Sequence, residues 1–183
     1  MAIGDSALYK NVSGLYNTAV GSKALYNNTN ASNTAIGYNT MYSNTNGTQN
    51  TAVGNNAMYW NTNGNGNTSL GYSALLLNSQ GQLNTAVGTS SLNNNSTGMY
   101  NTGIGYSSFY GADTKWNTGL GMYSGYSTTS GFNNTAVGFA SLYKNTTGRN
   151  NIALGDSAGY FYTTLSNRTV SYTHLTLPTI LLV

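Results

Sequence analysis

The chain has 183 residues, only 5% of them charged, and a formal net charge of +3. Six basic residues are scattered singly, so the basic patch of a nucleic-acid-binding protein is missing and we expect no nucleic-acid partner. Cysteine is absent, which excludes disulfides and thiolate metal sites. No apolar run approaches the ~18 residues that span a membrane, so we expect no membrane insertion.

One glycine recurs along almost the whole chain, usually as the last residue of Asn-Thr-Ala-Val-Gly or a close relative. The spacing is 16 or 17 residues, at Gly4, Gly21, Gly37, Gly54, Gly71, Gly88, Gly105, Gly121, Gly138 and Gly155. So short a period indicates stacked repeats, each covered by its neighbours. We therefore predict an all-β parallel β-solenoid (β-roll) of about ten 16–17-residue coils over residues 1–167. At about 4.8 Å per coil, the rod would be roughly 48 Å long.

The first half of each repeat has the pattern of a short strand. Threonine lies three residues before the glycine and an aliphatic residue one before it, as in Thr51-Ala52-Val53-Gly54. Such alternation is typical of a strand with one face more apolar than the other. We predict a core made of these aliphatic residues and of the Leu and Met residues four positions after the glycine. The glycine marks a turn, a bulge or a close backbone approach.

The second half of each repeat is also regular, as in Ala57-Met58-Tyr59, and it ends in a polar corner such as Asn61-Thr62-Asn63-Gly64. Alanine and leucine favour a helical turn while tyrosine favours a strand, and we prefer the strand. Gly125 and Gly159 interrupt the Leu/Met column. Asn and Gly suit the corner because they tolerate left-handed backbone angles.

Stacked coils place identical side chains in columns along the rod. We expect an amide ladder from the asparagines four residues before each glycine, in which each side chain donates to the next. Ala, Gly and Ser occupy many other positions, so the core is thin and contributes little hydrophobic stability per residue. This shortage predicts burial between chains, in a homo-oligomer.

A tyrosine column is the candidate binding stripe. Exposed rings would offer flat apolar faces to sugars or to another protein; alternatively, the rings pack between chains or over the roll. The stripe comprises Tyr9, Tyr26, Tyr42, Tyr59, Tyr110, Tyr126, Tyr143 and Tyr160.

No residue pattern indicates an enzyme. Asp5 and Asp156 hold the same repeat position nine coils apart, Asp113 lies in a corner, and His174 is the only histidine. Acid–base catalysis and metal binding need such groups close together, so we predict no catalytic, metal or cofactor site.

The threonine column suggests a different class of function, an ice-binding surface, although each threonine is paired with an aliphatic residue.

The segments Asn-Thr-Ala-Val-Gly and Ile-Ala-Leu-Gly-Asp-Ser-Ala-Gly resemble the head repeats of YadA-like trimeric autotransporter adhesins, and related repeats of phage and bacterial tail fibres. The resemblance covers about residues 1–167. It implies a left-handed parallel β-roll, a homotrimer, and attachment to a host-surface protein or glycan from an extracellular, cell-surface or virion location. We therefore expect a structural and adhesive fibre segment; the alternatives are a passive spacer without a ligand and an ice-binding solenoid.

Residues 168–183 form a non-repeat tail. A glycine is due near position 172, where Tyr172 stands, and the tail holds the only proline. One hypothesis is that residues from about 170 are foreign read-through sequence, since they resemble a translated sequencing adapter. The other is a C-terminal strand that caps the rod. Because the chain opens inside a repeat, we interpret it as a fragment cut at its N-terminal side.

Overall fold

The computed structural model describes residues 1–171, and this part of the chain forms one parallel sheet without any helix. Each strand pairs with the one before and the one after it, so the sheet order is the sequence order. The predicted parallel β-solenoid is confirmed. The strands are β1 (Ala2–Ile3), β2 (Thr18–Val20), β3 (Thr34–Ile36), β4 (Thr51–Val53), β5 (Thr68–Leu70), β6 (Thr85–Val87), β7 (Thr102–Ile104), β8 (Thr118–Leu120), β9 (Thr135–Val137), β10 (Ile152–Leu154) and β11 (Thr169–Ser171).

The register between coils sets like residues over like residues. In the β3–β4 pair, Thr34 faces Thr51 and Ala35 faces Ala52. Backbone hydrogen bonds between coils continue outside the strands, for example from the Met58 amide to the Ala74 carbonyl at 3.0 Å. Each coil therefore binds the next through main-chain hydrogen bonds on several sides, and the coils form a rod.

The core is built from the middle residue of each strand, which contradicts half of our predicted core. Ala52 is fully buried, whereas Leu70, one residue before its glycine, is 48% exposed. Side chains alternate along a strand, so the threonine and the aliphatic residue point away from the side that alanine faces. Because the interior is narrow beside the strands, alanine is the residue that fits at the middle position of a strand.

The other half of the predicted core is confirmed. The residues four positions after the glycine fill the interior opposite the strands, and those that are fully buried are Leu25, Met41, Met58, Leu75, Leu92, Phe109 and Leu142.

The second half of each coil is a turn, so our preference for a second strand is wrong. The second and fourth residues after the glycine have positive φ, as at Asn56 (φ 56°) and Met58 (φ 50°). Left-handed residues at this spacing curl the chain and prevent an extended strand. Gly125 and Gly159 hold the fourth position, where their φ values of 62° and 63° suit glycine.

The repeat glycine is a point of close backbone approach. Gly88 has φ of 122°, and a Cβ atom on it would lie 2.6 Å from the carbonyl oxygen of Gly105 in the next coil. A side chain at this position is therefore excluded both by backbone geometry and by the neighbouring coil.

The predicted asparagine ladder is present, and backbone amides are its main donors. Asn33 Oδ1 accepts the Asn50 backbone amide at 3.0 Å, and Asn50 Nδ2 donates to the Gly64 carbonyl at 2.7 Å. The direct side-chain contact from Asn50 Nδ2 to Asn33 Oδ1 is longer, at 3.3 Å. Each amide thus joins its own coil to the coils on both sides.

A second asparagine ladder, which we did not predict, is formed by the residues seven positions after the repeat glycines. Here the side chains donate directly to each other, with 2.6 Å from Asn61 Nδ2 to Asn44 Oδ1 and 2.7 Å from Asn78 Nδ2 to Asn61 Oδ1. Ala112 and Thr128 interrupt this column. Buried amides paired in this way supply specific contacts that a thin apolar core lacks.

Strand β11 lies within the segment that we assigned to the non-repeat tail. It pairs with β10 in register, with Ala153 facing Val170. The described rod therefore extends through Ser171. The rest of the tail, with His174 and Pro178, lies outside the described residues, and so does most of the segment that the read-through hypothesis concerns.

Phe109 generates the first prediction, because it stands where most coils have Leu or Met. A Cβ atom on Gly119 would meet the Ser108 hydroxyl, which can rotate, and would lie 2.6 Å from Cδ2 of the Phe109 ring, which is held in the core. We expect Gly119→Ala to lower the free energy of unfolding by about 1–3 kcal/mol through overpacking. In a Phe109→Leu background the same alanine should be neutral or stabilising. Urea unfolding of the four proteins measures this coupling, and an equal cost in both backgrounds would contradict it.

Candidate functional site

The tyrosine stripe forms two separate stacks of four rings. Leu76 and Asn93 occupy the column between the stacks. Neighbouring rings have centroids 5.0–5.3 Å apart and interplanar angles of at most 19°. The stacks are Tyr9–Tyr26–Tyr42–Tyr59 and Tyr110–Tyr126–Tyr143–Tyr160.

Stacking covers the flat faces of the inner rings. A sugar binds an aromatic side chain through such a face, while here the inner rings leave mainly edges and hydroxyl groups accessible. Apart from the exposed Tyr9, the rings are half-buried. The geometry favours the packing alternative, in which the column covers the roll.

The outer side of the strands carries a second set of columns, which we call the sheet face. It consists of the outward threonine and aliphatic residues of β2–β10 together with the residue after each repeat glycine. Six of its members from the middle of the rod are exposed large apolar residues: Leu70, Tyr72, Ile104, Tyr106, Leu120 and Met122. Contiguous apolar surface of this kind is typical of an interaction site. We missed this face because we had assigned its aliphatic column to the core.

Tyr123 connects the second tyrosine stack to the sheet face. Its ring lies edge-on to Tyr106 and Tyr126, with both centroid distances at 5.4 Å. Loss of hydration raises the pKa of the Tyr123 phenol, and Tyr106 and Tyr126 raise it further. The phenol is therefore uncharged at physiological pH.

The corner of coil 7 is one of two in the rod that are shortened. Coil 7 (residues 106–121) has 16 residues, and its corner is one residue shorter than that of coil 6 (residues 89–105). An open depression of about 350 Å³ lies where the two corners meet. We call it the coil-7 depression; its lining residues are Thr97, Gly98, Met99, Asp113, Thr114 and Lys115.

Polar groups of the coil-7 depression are held in place by its two coils. Asp113 Oδ1 accepts the Gly98 backbone amide at 2.9 Å, and it also accepts the amide and hydroxyl of Thr97. The Lys115 ammonium lies over the neighbouring Trp116 ring, 4.4 Å from its centroid. A carboxylate, an ammonium and an indole are thus adjacent at one corner. The sequence contains a signal of this corner, because Asp113 is the only aspartate away from the ends of the repeat region and it lies in a shortened repeat.

The structure does not bring the acidic residues together. Asp5 follows β1 and Asp156 follows β10, at opposite ends of the sheet. Within residues 1–171 no group of three or more His, Cys, Asp or Glu residues is placed to hold a metal ion. A search of the same residues for a helix long and apolar enough to cross a membrane also finds none.

The stacked tyrosines generate the second prediction. Replacing Tyr42 and Tyr59 together by alanine removes two stacked pairs, each contributing about 0.5–1.5 kcal/mol beyond its buried area, so the melting temperature should fall. The matched control replaces Tyr16 and Tyr100, two exposed tyrosines outside both the stacks and the sheet face, and should leave melting nearly unchanged. Unchanged melting of the stack variant would favour the binding stripe.

Comparison of the chain with protein-family models, with curated proteins and with solved structures finds no match. The resemblance to adhesin-head and tail-fibre repeats therefore rests on the repeat pattern, and membership of that family stays a prediction.

Proposed function

We propose that this chain is a structural and adhesive fibre segment that acts outside the cell or on a virion, as a stiff rod mediating surface attachment. The observation that carries the proposal is the register in which every coil repeats the coil before it, while apolar columns face outward. A rod of this kind holds contact residues away from the surface that bears it. Weak contacts repeated along it add through effective concentration.

Hydrogen bonds between coils support the mechanical part of the proposal. Backbone amides and two asparagine ladders join consecutive coils, as in the Asn67 amide donating to Asn50 Oδ1 at 2.9 Å. Bending the rod stretches these bonds on one side and compresses the coils on the other. Because the bonds surround each coil, stiffness follows from the repeat and does not depend on a large apolar core.

The sheet face supports a homotrimer as the assembled form. Its aliphatic column is exposed or half-buried along the rod, and neither that column nor the threonine column of β2–β10 contains a charged residue. Burial of apolar surface contributes about 25 cal/mol per Å², and it costs little where no charge must be desolvated. Three rods arranged around one axis would cover this face and supply the stability that the thin core lacks.

The sheet face also favours a second function. Threonine recurs at the first position of eight consecutive strands, β2 to β9, and it points outward from a regular sheet. Hydroxyl and methyl groups in such an array can order water, as an ice-binding surface does. The two functions compete for one face, since ice cannot reach a face buried between chains. Thermal hysteresis of the purified rod distinguishes them, and a clear freezing-point gap would favour ice binding.

The third prediction concerns assembly. Sedimentation of the purified chain should give a trimer, and Leu70→Lys with Leu120→Lys should give folded monomers, because the new charges lie on the sheet face. Both leucines are 48% exposed. The control, Leu83→Lys, changes a leucine that is 52% exposed outside that face, and it should stay trimeric. A monomeric parent chain, or a trimeric double variant, would refute this interface.

The fourth prediction distinguishes an adhesive rod from a passive spacer. Beads coated with the chain should attach to a panel of cultured animal and bacterial cells more than uncoated beads do. Deleting residues 55–71 or residues 106–121 removes one coil and keeps the remaining columns in register. At least one deletion should weaken attachment in a binding rod. If both shortened rods attach as well as the parent, the segment is a passive spacer.

A further inference from the structure

We propose that the coil-7 depression binds a neutral sugar, through Asp113 and Lys115 in its lining and through Trp116, whose ring lies beside the Lys115 ammonium. This proposal rests on the adhesive function above and names the partner class and the contact residues. It places the ligand at one corner of the rod and not along the tyrosine stripe.

The shortened corner creates the space, and its residues supply the chemistry. The volume of about 350 Å³ falls at the lower end of small-molecule pockets, which is suitable for one or two sugar rings. Coil 2, residues 22–37, has 16 residues as well and is shortened at the same corner. Thr29, Ala31 and Ser32 hold the positions that Asp113, Lys115 and Trp116 hold in coil 7. A short coil alone therefore does not require a carboxylate, an ammonium and an indole.

Asp113 carries more than its structural role needs. Asn65 of coil 4 (residues 55–71) makes a comparable pair of bonds two residues nearer to the following repeat glycine: its Oδ1 accepts the Thr48 backbone amide at 2.8 Å and the Thr48 hydroxyl at 2.9 Å. One amide oxygen is thus sufficient for such a pair of bonds. Asp113 uses Oδ1 alone for its bonds to Thr97 and Gly98, and its Oδ2 has no hydrogen-bond partner within residues 1–171. That second oxygen is free to accept a hydroxyl group from a ligand.

The other two residues complete a site for sugar hydroxyls and an apolar sugar face. A hydroxyl group both donates and accepts, so it can donate to Asp113 while a neighbouring hydroxyl accepts from the Lys115 ammonium. Trp116 is 49% exposed and contacts no other aromatic ring within residues 1–171, in contrast to the stacked tyrosines. Displacing Lys115 from this ring gives the sugar an aromatic face. One acid and one base cancel in charge, which favours a neutral ligand over an acidic one.

The fifth prediction tests this site with an array of neutral and acidic oligosaccharides, followed by calorimetric titration of the neutral sugar that binds most strongly. We expect Trp116→Ala and Asp113→Asn to raise the dissociation constant about tenfold or more. Asp113→Asn should keep the melting temperature, because asparagine keeps the Oδ1 acceptor, and Asn65 makes comparable bonds through such an oxygen. The matched controls, Trp60→Ala and Asp156→Asn, should bind like the parent; Trp60 is 51% exposed on another column.

Each negative result identifies whether the sugar site, the adhesive function or both are wrong. Parent-like affinity of the Trp116 and Asp113 variants, or binding of acidic sugars alone, overturns the site. If no sugar binds but coated beads attach to cells, the site is wrong and the adhesive function stands. If neither sugars nor cells bind, both proposals fall.

Discussion

The spacing of one coil, about 4.8 Å, is the constraint on which this rod depends. Most side chains lie directly over a counterpart of the same or a similar type, so a residue type can recur along a column only if it packs against copies of itself. Glycine, alanine, asparagine and tyrosine meet this condition in different ways. Gly88 lets two backbones touch, Ala52 fits a narrow interior, Asn50 pairs with its neighbours, and Tyr42 stacks. Charged residues do not meet it, since like charges would repel in every column.

Hydrogen bonds between buried amides replace part of the stabilisation that a hydrophobic core provides in a globular domain. Of the twelve largest fully buried side chains, five are asparagines, and the other seven are Phe109 and six Leu or Met residues. A buried amide with every group paired contributes modestly to stability and strongly to specificity. The register of the coils is fixed in this way, because a slip by one residue would leave buried amides without partners.

The repeat period was sufficient to predict the solenoid, its parallel strands and its Leu/Met column. It was insufficient to assign the faces of a three-residue strand, since alternation shows that Ala52 and Val53 face opposite ways but not which way is inward. That depends on the width of the interior, which the turn at Asn56 and Met58 determines. The second asparagine column could have been found by its spacing alone. The coil-7 depression was visible only as a shortened repeat with Asp113, and its contacts needed three dimensions.

The asparagine ladders also give the rod a polarity. In both ladders the bonds between asparagines run from a donor in the later coil to an acceptor in the earlier one, as in the Asn61 side chain donating to Asn44 and the Asn67 backbone amide donating to Asn50. Aligned amide dipoles polarise each other, so each bond strengthens the next. Ala112 ends the second ladder, whose direct amide bonds run from Asn95 back to Asn11. The rod is consequently a directional object, and one of its aligned amide series stops at coil 7, the same coil whose corner is open to solvent.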